Sequence, residues 1–188
     1  MWWRKHRVEL RRLARVVIAL AAAGLTAGCF EPLYGRGPNP DGDSIHDKLA
    51  AILIAKIPAR QGSEESRLAV GMQNALQFDL NGGAGASAPT HRLEVALAGT
   101  EVSVIIDPVS GRPTAQVSGV TANYRLVEIA TGKIVLKDTS YAHVDVDIPG
   151  SEQRFAEDRA QRDAQDRAVQ SVAEAIRNRL ASYFVAGT

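Results

Sequence analysis

Hydrophobic and polar residues alternate along this chain with two different periods, and the switches between them mark out its elements. Leu49-Ala-Ala-Ile-Leu-Ile-Ala-Lys-Ile57 is apolar at both alternating parities and is stopped by Pro58. Its length and isoleucine content predict a buried strand. Gln61-Gly62-Ser63 then turns the chain, with Ser63 as N-cap and Glu64 and Glu65 in the positive first turn of a helix. Leu68, Met72, Leu76 and Leu80 recur at four-residue steps beside Ala69 and Ala75. That spacing predicts an amphipathic helix of about four turns, ended by Asn81-Gly82-Gly83.

Three segments of period two follow. Leu93, Val95 and Leu97 share one face, whereas Val102, Val104 and Ile106 take the other parity, so a bulge is expected at Ala98-Gly99. Asp107 to Pro113 makes a turn. Val120, Ala122, Tyr124 and Leu126 alternate with Thr121, Asn123 and Arg125, and Ala130-Thr131-Gly132-Lys133 turns again. In the last segment Ile134, Leu136, Ala142, Val144, Val146 and Ile148 oppose Lys137, Thr139, Tyr141, His143, Asp145 and Asp147. Short turns between three such strands make an antiparallel meander with one apolar and one polar face. Pro149-Gly150 ends it, and Ser151 caps a final long helix. Val169, Val172, Ala173, Ile176, Leu180, Tyr183 and Phe184 fit that helix's second half to the sheet, while its first half is expected to project or lie loosely. The order β-α-β-β-β-α predicts a two-layer α/β sandwich, a mostly antiparallel four-stranded sheet with two helices on one face. The other face stays open and polar.

Upstream of the first strand the pattern changes character. Arg4, Lys5, Arg7, Arg11, Arg12 and Arg15 precede an apolar run from Val16 to Leu25, and Ala27-Gly28 lead directly into Cys29, the single cysteine. Basic, apolar and small, in that order, is an export signal. The apolar run is about half the roughly 20 residues a spanning helix needs. A lone cysteine at the cleavage point is the bacterial lipoprotein pattern: the thiol takes a diacylglyceryl group, residues 1–28 are removed, and the new amine is acylated. Thr26 stands where such boxes usually carry Leu. The acyl chains are the anchor, and no other cofactor is expected. Residues 29–47, rich in Gly and Pro from Gly35 onward, read as a tether, and 48–188 as one α/β domain.

Removing the leader also changes the charge. It holds six of the 22 Lys/Arg and one of the 21 Asp/Glu, which leaves 16 against 20 and a net charge of −4. A mildly acidic exported domain offers nucleic acid no basic stripe. Gly82 to Ser87 is rich in Gly but has no following Lys and leads from helix to strand, so it is no phosphate loop. His143, Asp145 and Asp147 share a strand face, which alternation on an open surface explains without a metal. The final helix interleaves Glu157, Asp158, Asp163 and Asp166 with Arg154, Arg159, Arg162 and Arg167. That is a salt-laced exposed face. No nucleophile–base pair presents itself, so neither an enzyme nor, specifically, an anchored periplasmic hydrolase is expected.

The lipobox, Phe30-Glu31-Pro32-Leu33-Tyr34-Gly35 and the element order together resemble the LPS-assembly lipoprotein LptE family in its alphaproteobacterial form. There the run is Gly-Cys-Gly-Phe-X-Pro-Leu-Tyr-Gly, and here the Gly after Cys29 is absent. The resemblance implies a non-enzymatic outer-membrane lipoprotein on the periplasmic side of a Gram-negative envelope. Its partners would be the β-barrel LptD, which such proteins plug and help to assemble, and lipopolysaccharide. It also implies basic lipopolysaccharide contacts near a hairpin tip, for which Arg112 and Lys133 are the counterparts by layout. A lipoprotein accessory of an ABC-type lipid transporter is the alternative.

Overall fold

The computed structural model describes residues 44–86, 88–109, 111, 113–147 and 154–187. Cys29, Arg112 and Ser151 lie outside them. Ser44 opens the described chain. Its hydroxyl accepts from the Asp47 N–H at 3.2 Å, and Asp47 Oδ2 accepts from the Ser44 N–H at 3.2 Å. This reciprocal capping box starts helix α1 (Ile45–Ala50). Ile45 and Leu49, one turn apart, pack on the core. The tether expected to reach Asp47 has therefore ended by Ser44, and the strand expected over Leu49–Ile57 shrinks to β1 (Ile52–Ile54). A run apolar at every position carries no period of its own, and the capping box at Ser44 starts a helix that takes up its first residues.

β1 pairs in parallel with the start of β2 (His91–Ile106), Ile52 opposite His91 and Ile54 opposite Leu93. Between them runs α2 (Glu64–Asn81), capped by Ser63, whose hydroxyl accepts from the Ser66 N–H. It ends on Gly82 in the left-handed region (φ 64), where the Gly82 and Gly83 N–H groups reach back to the Phe78 and Gln77 carbonyls. β2 continues into β3 (Pro113–Glu128) and β4 (Ile134–Asp147), each pairing antiparallel with its predecessor, so the sheet order is β1-β2-β3-β4. The last element is α3 (Arg154–Ala186), 33 residues long.

Both long helices lie on one face of the sheet, α3 over β3 and β4 and α2 over β1 and β2. They run side by side in the same direction: Arg67 of α2 meets Asp166 of α3, and Gly71 faces Val169. The architecture is the two-layer α/β sandwich with a short extra helix at one end. Leu93, Val120, Ala122 and Leu126 of the sheet are fully buried against Met72, Leu76, Val172, Ile176 and Leu180. Ala164, Ala168, Ala173 and Ala181 are also buried on α3. Their lack of bulk lets the helix axis lie close to the strands.

The structure corrects two expectations. Pairing of β2 with β3 is unbroken from His91 to Ser103, so there is no bulge at Ala98-Gly99, and the register shifts only between Ser103 and Ile106. What changes at Gly99 is the cover. A Cβ on Gly99 would stand 3.1 Å from Leu68 Cδ1, so α2 packs onto the sheet there, at its own first turns. Beyond that level the strands continue as a blade on which Val102, Val104, Ile105 and Ile106 are 58, 58, 56 and 59% exposed.

The first half of α3 is also not loose. Gln165, only 3% exposed, donates to Glu64 and, at 3.1 Å, to Glu101, and accepts from Arg67. Arg67 also holds Asp166, and Gln161 donates to Glu101. This clasp ties both helices to the blade. Arg167 and Asp163 form the expected exposed i,i+4 pair at 2.9 Å.

Candidate functional site

The face of the sheet away from the helices is built rung by rung from register. At the β1 end, Glu94 accepts from Arg92 Nε at 2.9 Å and from Arg125. Arg125 stands opposite Lys137 across the β3–β4 pair. The Arg125 guanidinium, with Arg92 behind it, holds the Glu94 carboxyl below its ordinary range. A cleft of about 410 Å³ opens beside this rung, where Ala55 to Pro58 leave the sheet, and Lys56, Arg125 and Lys137 border it. No ion pair is formed by Lys56 or Lys137 among the described residues. Three cations on three different segments thus meet at one cleft, with two carboxylates beside them, Glu94 shared by two arginines and Asp138 paired with Arg179.

Further along, Asn123 accepts from the Thr139 hydroxyl at 2.8 Å. The Tyr141 and His143 rings lie 5.6 Å apart at 56°. Gly119 stands between Thr100 and His143, and a Cβ there would lie 2.6 Å from Thr100 Oγ1 and 2.8 Å from His143 Cδ2. The last regular rung is Val102, Val117 and Asp145. The open face therefore grades from cationic, through neutral polar, to an apolar corner on β2. That corner continues into Val109 at the turn, which is 94% exposed.

Of the expected contact residues, Arg112 lies outside the described residues. Lys133 is exposed in the β3–β4 turn, its carbonyl accepting from the Glu128 N–H at 2.9 Å and its N–H donating to Thr131 Oγ1 at 3.2 Å. The turn between Ile106 and Pro113 sits at the other end of β3, 16 residues away, which is about 54 Å of extended chain. Lys133 instead shares its end of the sheet with Lys137 and Arg125. The grouping of Lys56, Arg125 and Lys137 escapes sequence reasoning because it depends on cross-strand register. Its one visible trace is a basic residue on each side of the Ala130–Lys133 turn, Arg125 and Lys137. His143 and Asp145 gather no further ligand: among the described residues no cluster of three His, Cys, Asp or Glu is placed to hold a metal. Nor is any helix among them long and apolar enough to cross a membrane.

No protein-family model matches the chain, and no curated protein sequence matches it. Solved structures do. A protein assigned as a lipoprotein from Caulobacter crescentus CB15 superposes with a TM-score of 0.59 at 20% identity, covering 78% of this chain and 98% of that one. Rare lipoprotein B from Shewanella oneidensis gives 0.51 at 13% identity, over 71% of this chain and 96% of its own. A minor lipoprotein from Acinetobacter baumannii gives 0.50 at 14%, over 72% and 93%. The fold is one found in bacterial lipoproteins. At these identities the likeness is one of fold, and function must be argued from the surface.

Proposed function

We propose that this chain is an outer-membrane lipoprotein, anchored through acylated Cys29, that plugs and helps to assemble the LptD β-barrel translocon and binds lipopolysaccharide on its way to the outer leaflet. The observation that carries this reading is the open sheet face. Among the described residues nothing covers one whole face of the three long strands, which is mostly hydrophilic and about 50 Å long. The lumen of an outer-membrane barrel is polar, and its apolar outer band is about 25 Å tall, so a blade of this length can occupy it from end to end. Lys56, Arg125 and Lys137 add a site for the phosphates of lipopolysaccharide: the guanidinium offers paired donors and the two ammoniums mobile point charges. The fold shared with bacterial lipoproteins is in keeping with a lipid anchor.

The test is purification of the tagged protein from detergent-solubilised membranes. A large outer-membrane β-barrel at near one-to-one stoichiometry is the expected companion. Recovery of an inner-membrane ABC transporter with no barrel would sink the reading in favour of a transporter accessory. Cys29→Ala should leave a folded protein that is unprocessed or released from the membrane, read by fractionation and by loss of acyl mass.

A further inference from the structure

Glu94 and the cations around it are placed by register. Glu94 stands opposite Arg125, and Arg125 opposite Lys137, so the three side chains share one rung of the open face. Arg92 lies two residues before Glu94 on β2 and projects from the same face. Each arginine reaches Glu94 through Nε alone, Arg92 to Oε1 at 2.9 Å and Arg125 to Oε2. A guanidinium carries five N–H donors, and an ion pair built for strength uses two of them in parallel on one carboxylate. Neither arginine does so here. Among the described residues the terminal nitrogens of Arg92 and Arg125 have no hydrogen-bond partner.

We propose that Glu94 is a positioning residue: it holds Arg92 and Arg125 by their Nε–H groups so that their terminal nitrogens grip one phosphate monoester of a lipid headgroup together, with Lys56 and Lys137 beside it. The inference rests on the reading of the cleft as a phosphate site, and it adds Arg92 to that site. Two guanidiniums side by side repel and would swing apart. A carboxylate between them offsets the repulsion and fixes both long side chains before a ligand arrives, which lowers the entropy lost on binding.

Exposure and charge agree with this role. The Glu94 side chain is 25% exposed, against 47% for Arg92 and 54% for Arg125, so an arriving ligand meets the guanidiniums before the carboxylate. Asp138, the other carboxylate at the cleft, is held by Arg179 of α3 at 3.0 Å and does not compete for these arginines. Four cations and one carboxylate then leave three positive charges, enough for a phosphate dianion. The sign of one substitution separates positioning from charge alone. Removing a carboxylate from beside a phosphate relieves repulsion, so a site governed by charge would bind more tightly without Glu94. A site that needs its arginines held would bind more weakly.

The full chain, purified from membranes in detergent and immobilised by a tag, tests this by surface plasmon resonance. Lipid A bearing its phosphates and the same lipid with the phosphates removed are passed over it. The parent should prefer the phosphorylated lipid about tenfold or more. Arg92→Ala and Arg125→Ala should each weaken binding of that lipid about tenfold, and Glu94→Ala about fivefold, with Tm unchanged. Arg92→Ala should cost less in the Glu94→Ala background than alone, because the two residues act as a unit. Inorganic phosphate should displace the lipid only weakly; displacement at lower concentration than the lipid itself would assign the site to free phosphate and overturn the proposal. Glu94→Ala binding as tightly as the parent or more tightly would overturn it too, as would Arg92→Ala without effect. Failure of the underlying reading looks different. A parent that does not distinguish the two lipids overturns the phosphate site and the clamp together, whereas a parent that does, with Glu94 and Arg92 variants behaving like it, overturns the clamp alone. Recovery of the barrel plays no part in either outcome.

Discussion

A matched pair of substitutions on β2 tests the division between its helix-covered half and the blade. Val95 is 4% exposed and Val104 is 58% exposed, on the same strand and nine residues apart. Val→Thr keeps shape and β-branching and exchanges one methyl for a hydroxyl. At Val95 the hydroxyl enters the buried hydrophobic cluster beneath the helices. Burying it unpaired costs about 1–3 kcal/mol. In a domain of this size each kcal/mol moves Tm by about 2–4 °C, so V95T should melt about 2–12 °C below the parent. At Val104 the hydroxyl stays in water, and the change should remain within about 0.5 kcal/mol, about 1–2 °C. Thermal unfolding followed by circular dichroism reads both. If V104T loses as much as V95T, the outer half of β2 belongs to a core and its apolar surface is not free for a partner. On the proposed function, the triple variant V102T/V104T/I106T should keep its Tm yet recover less barrel on purification.

Three further outcomes follow from the charges and the clasp. Asp79 has its carboxyl pushed up by burial and by Glu174, against Arg177. Its folded form therefore holds a proton more tightly than the unfolded chain, so the ionised group weakens the fold at neutral pH, and Asp79→Asn should raise Tm at pH 7 with the gain shrinking as pH falls towards 4. His91, edge-on to Phe184 with centroids 5.3 Å apart, has its imidazole pushed down by burial, with Glu128 opposing. That contribution is fully present above the unfolded value near 6.5 and is lost as pH falls through the lower folded value. His91→Gln should flatten the decline of Tm between pH 7 and 5. Gln165→Ala removes the centre of the clasp, leaving Glu64 without its amide partner and Glu101 with Gln161 alone. About 1–3 kcal/mol of stability should go, with faster amide exchange across Phe155–Gln161 and little change across Val172–Leu180.

How much of this is legible in the sequence follows from the range of the forces involved. α2 and the three long strands are readable because their burial is periodic and local: Leu68, Met72, Leu76 and Leu80 fall on one helix face whatever they pack against. α1 escapes because its signal is a four-residue capping box, Ser44 to Asp47, immediately before a run apolar at every position. The boundary at Gly99 mimics a bulge only if the valines beyond it need burial, and they do not. Which strand residues are covered depends on where α2 begins, and alternation within β2 does not encode that. The clasp is invisible for the opposite reason. Gln165 looks like any polar helix residue, and its burial depends on Glu64 and Glu101, 101 and 64 positions away. The cationic cleft likewise exists only once three segments are in register.

Gly99 and Gly119 acquire a further meaning as a pair. Gly99 stands opposite Val120 and Thr100 opposite Gly119, so the two missing side chains fall on adjacent rungs of neighbouring strands, one towards the helices and one towards the open face. A sheet thinned on both sides at one level twists and coils more readily there than elsewhere. Leu68 fills the gap on one side, and Thr100 and His143 fill it on the other. The pitch of the blade is therefore governed by a few side chains wedged into a flexible waist. With a lever of about 20 Å from Thr100 to Ile106, each 10° of bend carries the apolar tip through about 3.5 Å. A small repacking at the waist can thus re-aim the tip without breaking a backbone hydrogen bond in either half.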